Sequence, residues 1–327
     1  MKSYFRHRPV NEPFEDPCLF VGIARQKRAL LLDAGDLHRL SQTELYKVSD
    51  LFVTHMHIDH FIGFDTLLRA ILRRPVPLRV YGPEGIVDAI DGKLRGYTWN
   101  LIRSYPLKIE VFEISGGTMY GLIRHCSFHA ENGLKPVDRG YNEFNGYVLK
   151  EPFFSIKALS ISHGIPVLAY RIDEEIHINI DKAKLTDRNI ETGPWLSEFK
   201  EAILKNDRDR YFRAGNKTIS FKEIEDIALL TEGQKISYVM DVSIESENIE
   251  RIVDFVRGSD YLYCEAFFLE RDLELASERN HLTARLAGEI ARRAGVRNLI
   301  PMHFSLRYKD QPEIIIEEAM KAFSGKD

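Results

Sequence analysis

The amino-acid sequence predicts an α/β fold from three observations. Short β-branched or aromatic runs alternate with stretches whose apolar residues recur at helical spacing, two of those stretches stop at glycine, and metal-capable side chains recur where the runs end. In chain order the candidate strands are ALLLDAG (29–35), DLFVTH (50–55), LRVYG (78–82), FSIKALSISH (154–163), KISYVMD (235–241), YLYCEA (261–266) and NLIPMH (298–303). A helix-like stretch, FDTLLRAILRR, follows Gly63. Residues 247–257 place Ile249, Ile252, Val253 and Val256 on one face and end at Gly258; residues 281–294 place Leu282, Leu286 and Ile290 at fourfold spacing and end at Gly295. Glycine adopts the left-handed backbone that closes a helix, so both are helix stops. Between about 173 and 232 the pattern gives way to a charge-rich, weakly periodic stretch containing Gly193-Pro194, and alternation resumes at KISYVMD. We read residues 173–232 as an inserted arm on one domain spanning 1–327.

Composition narrows the class. Of 327 residues, 44% are hydrophobic and 29% charged, and no apolar run approaches the length of a membrane span, which excludes disordered, fibrous and membrane-spanning readings. Residues 1–17 alternate charge with proline and hold no apolar core of a secretory signal. Cys18, Cys126 and Cys264 lie far apart without a CxxC pair, giving neither a disulfide framework nor a thiolate zinc knuckle; a reducing cytoplasm fits best. A formal charge of −4 excludes a globally basic nucleic-acid coat, so any polyanion must be met by a local basic surface.

One segment carries chemistry. A strand runs into Thr54-His55-Met56-His57-Ile58-Asp59-His60, placing four metal-capable side chains within six positions. A turn has no use for three crowded neutral imidazoles, whereas a divalent cation does. Distant ligands are supplied by His163, Asp241 and His303, each ending a hydrophobic run, and the carboxyl edge of an α/β sheet is where ligands bind. His55, His57 and His163 would hold one metal, Asp59, His60 and His303 the second, with Asp241 bridging. Nitrogen and carboxylate donors without a thiolate suit zinc best, with manganese and iron as the other candidates. Two such ions, about 3.5–4 Å apart, would lower the pKa of a bridging water toward neutrality and generate a hydroxide nucleophile. With Asp59, Asp241 and that hydroxide counted, the centre keeps a net charge of about +1, which complements a phosphodiester.

The combination HxHxDH, a later strand-end His, a strand-end Asp and a last strand-end His resembles the metallo-β-lactamase superfamily, and within it the ribonuclease Z branch of tRNA 3′-processing endonucleases. The likeness runs from about residue 29 to 308. HGIPVLAYRI (163–172) is similar to that branch's His-then-GYR stretch, YGPEGI (81–86) to its YGP-x-G segment, CEAFF (264–268) to its HEAT motif, HLTA (281–284) to its HST loop and HFSLRY (303–308) to its last motif. Residues 1–28 lack the branch's FLGTG strand and PxKxRN loop, Cys264 stands for the histidine of HEAT, and Phe267 for its threonine. The resemblance implies a four-layer αββα sandwich, two divalent ions, a tRNA precursor as substrate and a homodimer. It points to His281 as the general acid for the leaving 3′ oxygen, held by Glu265, with Asp59 also in the catalytic set. The carboxylate at 241 argues against antibiotic hydrolysis, and His57 against oxygen reduction.

Two stretches are candidates for phosphate contact. Arg69, Arg73, Arg74 and Arg79 lie between Asp65 and Glu84 with no acidic residue among them. Residues 199–222 hold Lys200, Lys205, Arg208, Arg210, Arg213, Lys217 and Lys222 against Glu201, Asp207 and Asp209, at a place similar to the exosite arm of ribonuclease Z. Two rival functions stay open: a hydrolase of a small ester, thioester or cyclic nucleotide using the same metals, and a nucleic-acid-binding scaffold without catalysis.

Overall fold

The computed structural model describes residues 4–24, 26–117 and 119–325. The first sheet runs in chain order through β1 (Phe5–Pro9), β2 (Leu19–Ile23), β3 (Ala29–Leu32), β4 (Val48–Phe52), β5 (Leu78–Pro83), β6 (Lys108–Gly116), β7 (Gly121–His129) and β8 (Pro136–Phe144). Its centre, β3 to β6, is parallel, and its flanks are antiparallel. The second sheet begins with β9 (Tyr147–Lys150), β10 (Phe154–Ser162) and β11 (Pro166–Glu174). The chain then leaves for β12 (Ile176–Ile180), β13 (Tyr211–Ala214), β14 (Lys217–Ser220) and β15 (Ala228–Glu232), which form two small antiparallel pairs, β12 with β15 and β13 with β14. It returns with β16 (Lys235–Val239), antiparallel to β11, then β17 (Tyr261–Glu265) and β18 (Asn298–Met302) in parallel.

Side-chain alternation sorts three hydrophobic layers. In β3, Leu30 and Leu32 face the second sheet while Ala29 and Leu31 face outward, and the same period of two runs through β5. Between the sheets lie Phe52, Tyr81, Ile156, Ala158, Tyr170, Ile172 and Tyr238, all buried. Outside the first sheet pack α1 (Gln42–Lys47), α2 (Ile58–Phe61), α3 (Phe64–Ile71) and α4 (Ile86–Arg95), through Phe64, Leu67, Leu68, Ile86 and Ile90. The inserted segment carries α5 (Lys182–Asp187), α6 (Trp195–Leu204) and α7 (Phe221–Ile224). Outside the second sheet lie α8 (Ser246–Phe255), α9 (Leu273–Arg279), α10 (Ala284–Arg293) and α11 (Pro312–Ser324). This is the four-layer αββα sandwich.

Both glycine stops sit where the sequence places them: Gly258 and Gly295 have φ of +66° and +64°. The second helix starts later than its periodicity suggests, at Ala284, because the Thr283 hydroxyl caps it by accepting from Leu286 N. His281 therefore belongs to the loop after α9, whose end is turned by Asn280 at φ +58°. The insertion encloses a hydrophobic cluster of its own, built on Trp195, Phe199, Phe212 and Phe221, which weak periodicity concealed. Its two ends meet: Glu174 N donates to Gln234 O at 2.9 Å.

Candidate metal centre

Four loops at one edge of the two sheets bring the candidate ligands together. His55 and His57 follow β4, and Asp59 and His60 lie in α2; His163 follows β10, Asp241 follows β16 and His303 follows β18. The sheets are tied together here by Leu168 N donating to Thr54 O at 3.0 Å and Tyr170 OH donating to Val53 O at 2.8 Å. Asp33, Asp241 and His303 all have left-handed backbone, with φ of +58°, +52° and +56°. Non-glycine residues adopt that conformation seldom, Asp and His among the more tolerant, and it turns each side chain sharply off its strand end into the cleft.

The seven candidate ligands meet. His55, His57, His163 and Asp241 can each offer one atom within 4.8 Å of the others, as can Asp59, His60 and His303. Asp241 sits between the two groups: its Oδ2 lies 3.2 Å from Nε2 of His55 and of His60, and 3.8 Å from that of His163, while Oδ1 lies 3.1 Å from Nε2 of His303. Asp59 Oδ2 is 3.5 Å from His60 Nε2 and 3.8 Å from His303 Nε2.

The other nitrogen of three imidazoles is committed to the protein. His60 Nδ1 donates to Asp33 Oδ2 at 2.9 Å, His55 Nδ1 to Thr54 Oγ1 at 3.0 Å, and His163 Nδ1 to Asn280 O at 2.6 Å. Those bonds fix the tautomers so that the Nε2 lone pairs face inward. His55 Nε2, His60 Nε2 and Asp241 Oδ1 are buried without a hydrogen-bond partner. Buried polar atoms are costly unless paired, and lone pairs converging on a carboxylate are satisfied by a cation. The donor set of imidazoles and carboxylates therefore fits divalent ions of the zinc, manganese or iron type. Burial, reinforced by His55, lowers the pKa of His57, and burial lowers that of His163, which keeps both rings neutral and able to bind metal. Burial opposes the charge on Asp241, but the imidazoles of His303 and His60 outweigh it and hold the carboxyl well below its usual range.

Beside the cluster, His281 Nδ1 donates to Glu265 Oε2 at 2.8 Å. Glu265 is fully buried, and its Oε1 accepts from Val242 N at 2.6 Å and Leu282 N at 3.2 Å, so one carboxylate ties the Asp241 loop to the His281 loop. Burial disfavours a charged His281, yet the Glu265 carboxylate, through charge and hydrogen bond with Asp241 behind it, raises its pKa. Asp241, His281 and His303 also come within 4.8 Å of one another.

Sequence reasoning missed Asp33, fully buried, which accepts from Thr54 N at 2.7 Å, from His60 and from Tyr238 OH at 3.1 Å. Its signal was present, since it follows directly on the apolar run ALLL as the ligands follow theirs. Two of the arginines named for phosphate contact are used inside the fold. Arg79 Nε is 2.6 Å from buried Asp50 and also pairs with Glu151, and Arg74 donates to the carbonyls of Tyr46, Val48 and Val76. Arg73 bonds Tyr105 OH at 3.2 Å, and Arg69 is exposed. In the insertion, Lys205, Arg208, Arg210 and Lys222 pair with acidic neighbours, and Arg213 is exposed.

No family model matches the chain. It is 35% identical over 299 residues to ribonuclease Z of Kineococcus radiotolerans, covering 88% of this chain and 78% of that protein. It is 26% identical over 309 residues to ribonuclease Z of Deinococcus radiodurans, covering 92% and 90%. Among solved structures, the short form of human tRNase Z superposes with a TM-score of 0.54 at 18% identity over 93% of both chains. The metallo-β-lactamase fold protein YhfI from Bacillus subtilis does so with a TM-score of 0.50 at 15% identity, over 95% of this chain and 86% of that one. At 35% identity over 88% of its length to a ribonuclease Z, this chain is a member of the ribonuclease Z family.

Proposed function

We propose that the chain is a metal-dependent endoribonuclease that cleaves tRNA precursors at their 3′ ends. The observation that carries the reading is Asp241, a buried carboxylate within 4 Å of Nε2 of His55, His60, His163 and His303 in a chain 35% identical to a ribonuclease Z. His55, His57 and His163 would hold one divalent ion, Asp59, His60 and His303 the other, and Asp241 would serve both, with zinc the best match to the donors. Cations held there supply charge neutralisation at a phosphodiester and an activated water.

The chain's own residues do the rest. Asp33, Thr54 and the Asn280 carbonyl orient three imidazoles before substrate arrives. Glu265 takes His281 Nδ1, leaving Nε2 to hold the proton that the departing 3′ oxygen requires. Asp59, 35% exposed at its side chain, is the carboxylate on the solvent side of the site, where it can orient the incoming water. The insertion of residues 175–233 would hold the body of the tRNA through its exposed cations, and a homodimer in the cytoplasm completes the reading.

A 3′-extended tRNA precursor, bis-p-nitrophenyl phosphate and a thioester, each assayed with and without a chelator, test it. Site-specific, chelator-sensitive cleavage of the precursor is expected; chelator-sensitive turnover of the thioester alone would overturn the reading. Sedimentation velocity tests the dimer.

A further inference from the structure

Phe267 stands where the family resemblance has a threonine, and its ring lies flat on His281, with centroids 3.9 Å apart and planes inclined by 7°. It also touches the ring of His303, at 5.1 Å. Its backbone is pinned on both sides, Phe267 N donating to Leu282 O at 3.2 Å and Ser305 N donating to Phe267 O at 3.0 Å. The next residue continues the tie: Phe268 N donates to Leu282 O and Ala284 N to Phe268 O, at 3.2 and 2.7 Å. Phe267 is thus fixed between the loop carrying His281 and the loop carrying His303.

These contacts complement the bond to Glu265. A hydrogen bond at Nδ1 fixes one edge of the imidazole but leaves the ring free to swing about that bond, since the outer torsion of histidine is broad and soft. A flat aromatic face at stacking distance removes that freedom and shields one side of the ring from water. Threonine can do neither by stacking.

We propose that Phe267 is a positioning residue, holding the plane of the His281 imidazole so that Nε2 is presented to the leaving oxygen. The proposal rests on the reading of His281 as the acid.

Phe267→Leu keeps an apolar side chain of somewhat smaller volume and loses the flat face, Phe267→Thr loses both bulk and face, and Phe267→Tyr keeps the face. On a 3′-extended tRNA precursor, whose departing 3′ alkoxide requires a proton, kcat is expected to fall about 10- to 100-fold in the first two, the size of effect that misplacing a reacting group produces, with KM and bound metal unchanged. Phe267→Tyr should restore kcat to about the wild-type level. An independent readout needs no metal: in proton–carbon spectra of the metal-free protein, the His281 Hε1 resonance, identified by its loss in His281→Ala, should lie upfield under the ring. It should return toward its ordinary position in Phe267→Leu but not in Phe267→Tyr. Wild-type kcat in Phe267→Leu, or a His281 resonance unmoved by that change, overturns the proposal. The two readings fail separately. If His281→Ala keeps precursor turnover within about threefold of wild type, the acid reading falls and takes this role for Phe267 with it, whatever the ring shift in the wild-type protein. If His281→Ala collapses turnover while Phe267→Leu does not, only the role of Phe267 falls.

Discussion

Asp33 shows how much of a metal centre lies outside its ligands. It touches no candidate metal position, yet it holds the Nδ1 of His60, the backbone of Thr54 and the hydroxyl of Tyr238, and Thr54 in turn holds His55. Replacing it by Asn keeps the shape and removes the charge that favours an Nδ1-protonated, Nε2-ligating ring. Asp33→Asn should therefore weaken metal binding about 10- to 100-fold, with turnover restored by added zinc, as competition with a fluorescent chelator would measure. A loss of turnover that excess zinc leaves unrepaired would refute this. For His57 and Asp241 the expectation is harsher. Either residue changed to Ala should cost turnover and bound metal together, because a donor atom itself is gone. Metal analysis of the purified variants decides, and a full complement of metal in Asp241→Ala contradicts the bridging assignment.

Elements meet at this site through backbone, and two glycines make the approach possible. A Cβ on Gly63 would lie 2.0 Å from Gly35 O and 2.7 Å from Leu37 Cγ; one on Gly35 would lie 2.8 Å from Asp59 O. The loop after β3 and the turn between α2 and α3 thus interlock, and Gly63 N donates to Ala34 O at 2.8 Å. That interlock keeps Asp33 against His60. Gly63→Ala should destabilise the protein by about 1–3 kcal/mol through overpacking, and lower its metal content as the loops part. Gly92 lies within α4 with nothing within 4 Å of its would-be Cβ, so Gly92→Ala is the control, neutral or stabilising by about 1 kcal/mol. Thermal melts of the pair read the difference; equal melting temperatures would refute the interlock.

At the scale of the whole molecule, the sandwich and the insertion have separate cores. Trp195, Phe199, Phe212 and Phe221 pack among themselves, while the sandwich is closed by its own three layers. A cut at residues 185–222 would pass through that small core. Bridging Glu174 to Gln234, whose backbones already touch, removes the insertion whole. A short glycine linker replacing residues 175–233 should leave turnover of bis-p-nitrophenyl phosphate within about threefold and reduce precursor-tRNA cleavage about 100-fold, since phosphate contacts supply affinity and the metals supply chemistry. Equal losses on both substrates would show that the insertion supports the sandwich instead.

Legibility followed physical range. The seven strands named from the sequence stand in the two sheets, because burial on both faces writes a continuous apolar run that needs no partner to be read. Strands such as β8, whose residues are mostly exposed, and the small pairs of the insertion carry no such run, so pairing alone defines them. The glycine stops and the crowded residues 55–60 were equally local signals. Arg79 misled because a cation reads the same whether it faces water or a buried carboxylate such as Asp50.

By itself the sequence determined the α/β alternation, the metal-capable residue types and their recurrence at strand ends, all properties of single segments. Only the tertiary structure decided that Asp241 lies between two groups of imidazoles, that Asp33 and Glu265 orient them, and that Phe267 covers His281. Those relations join residues up to some 200 positions apart through left-handed turns at strand ends, and a linear pattern holds no record of which nitrogen faces which oxygen.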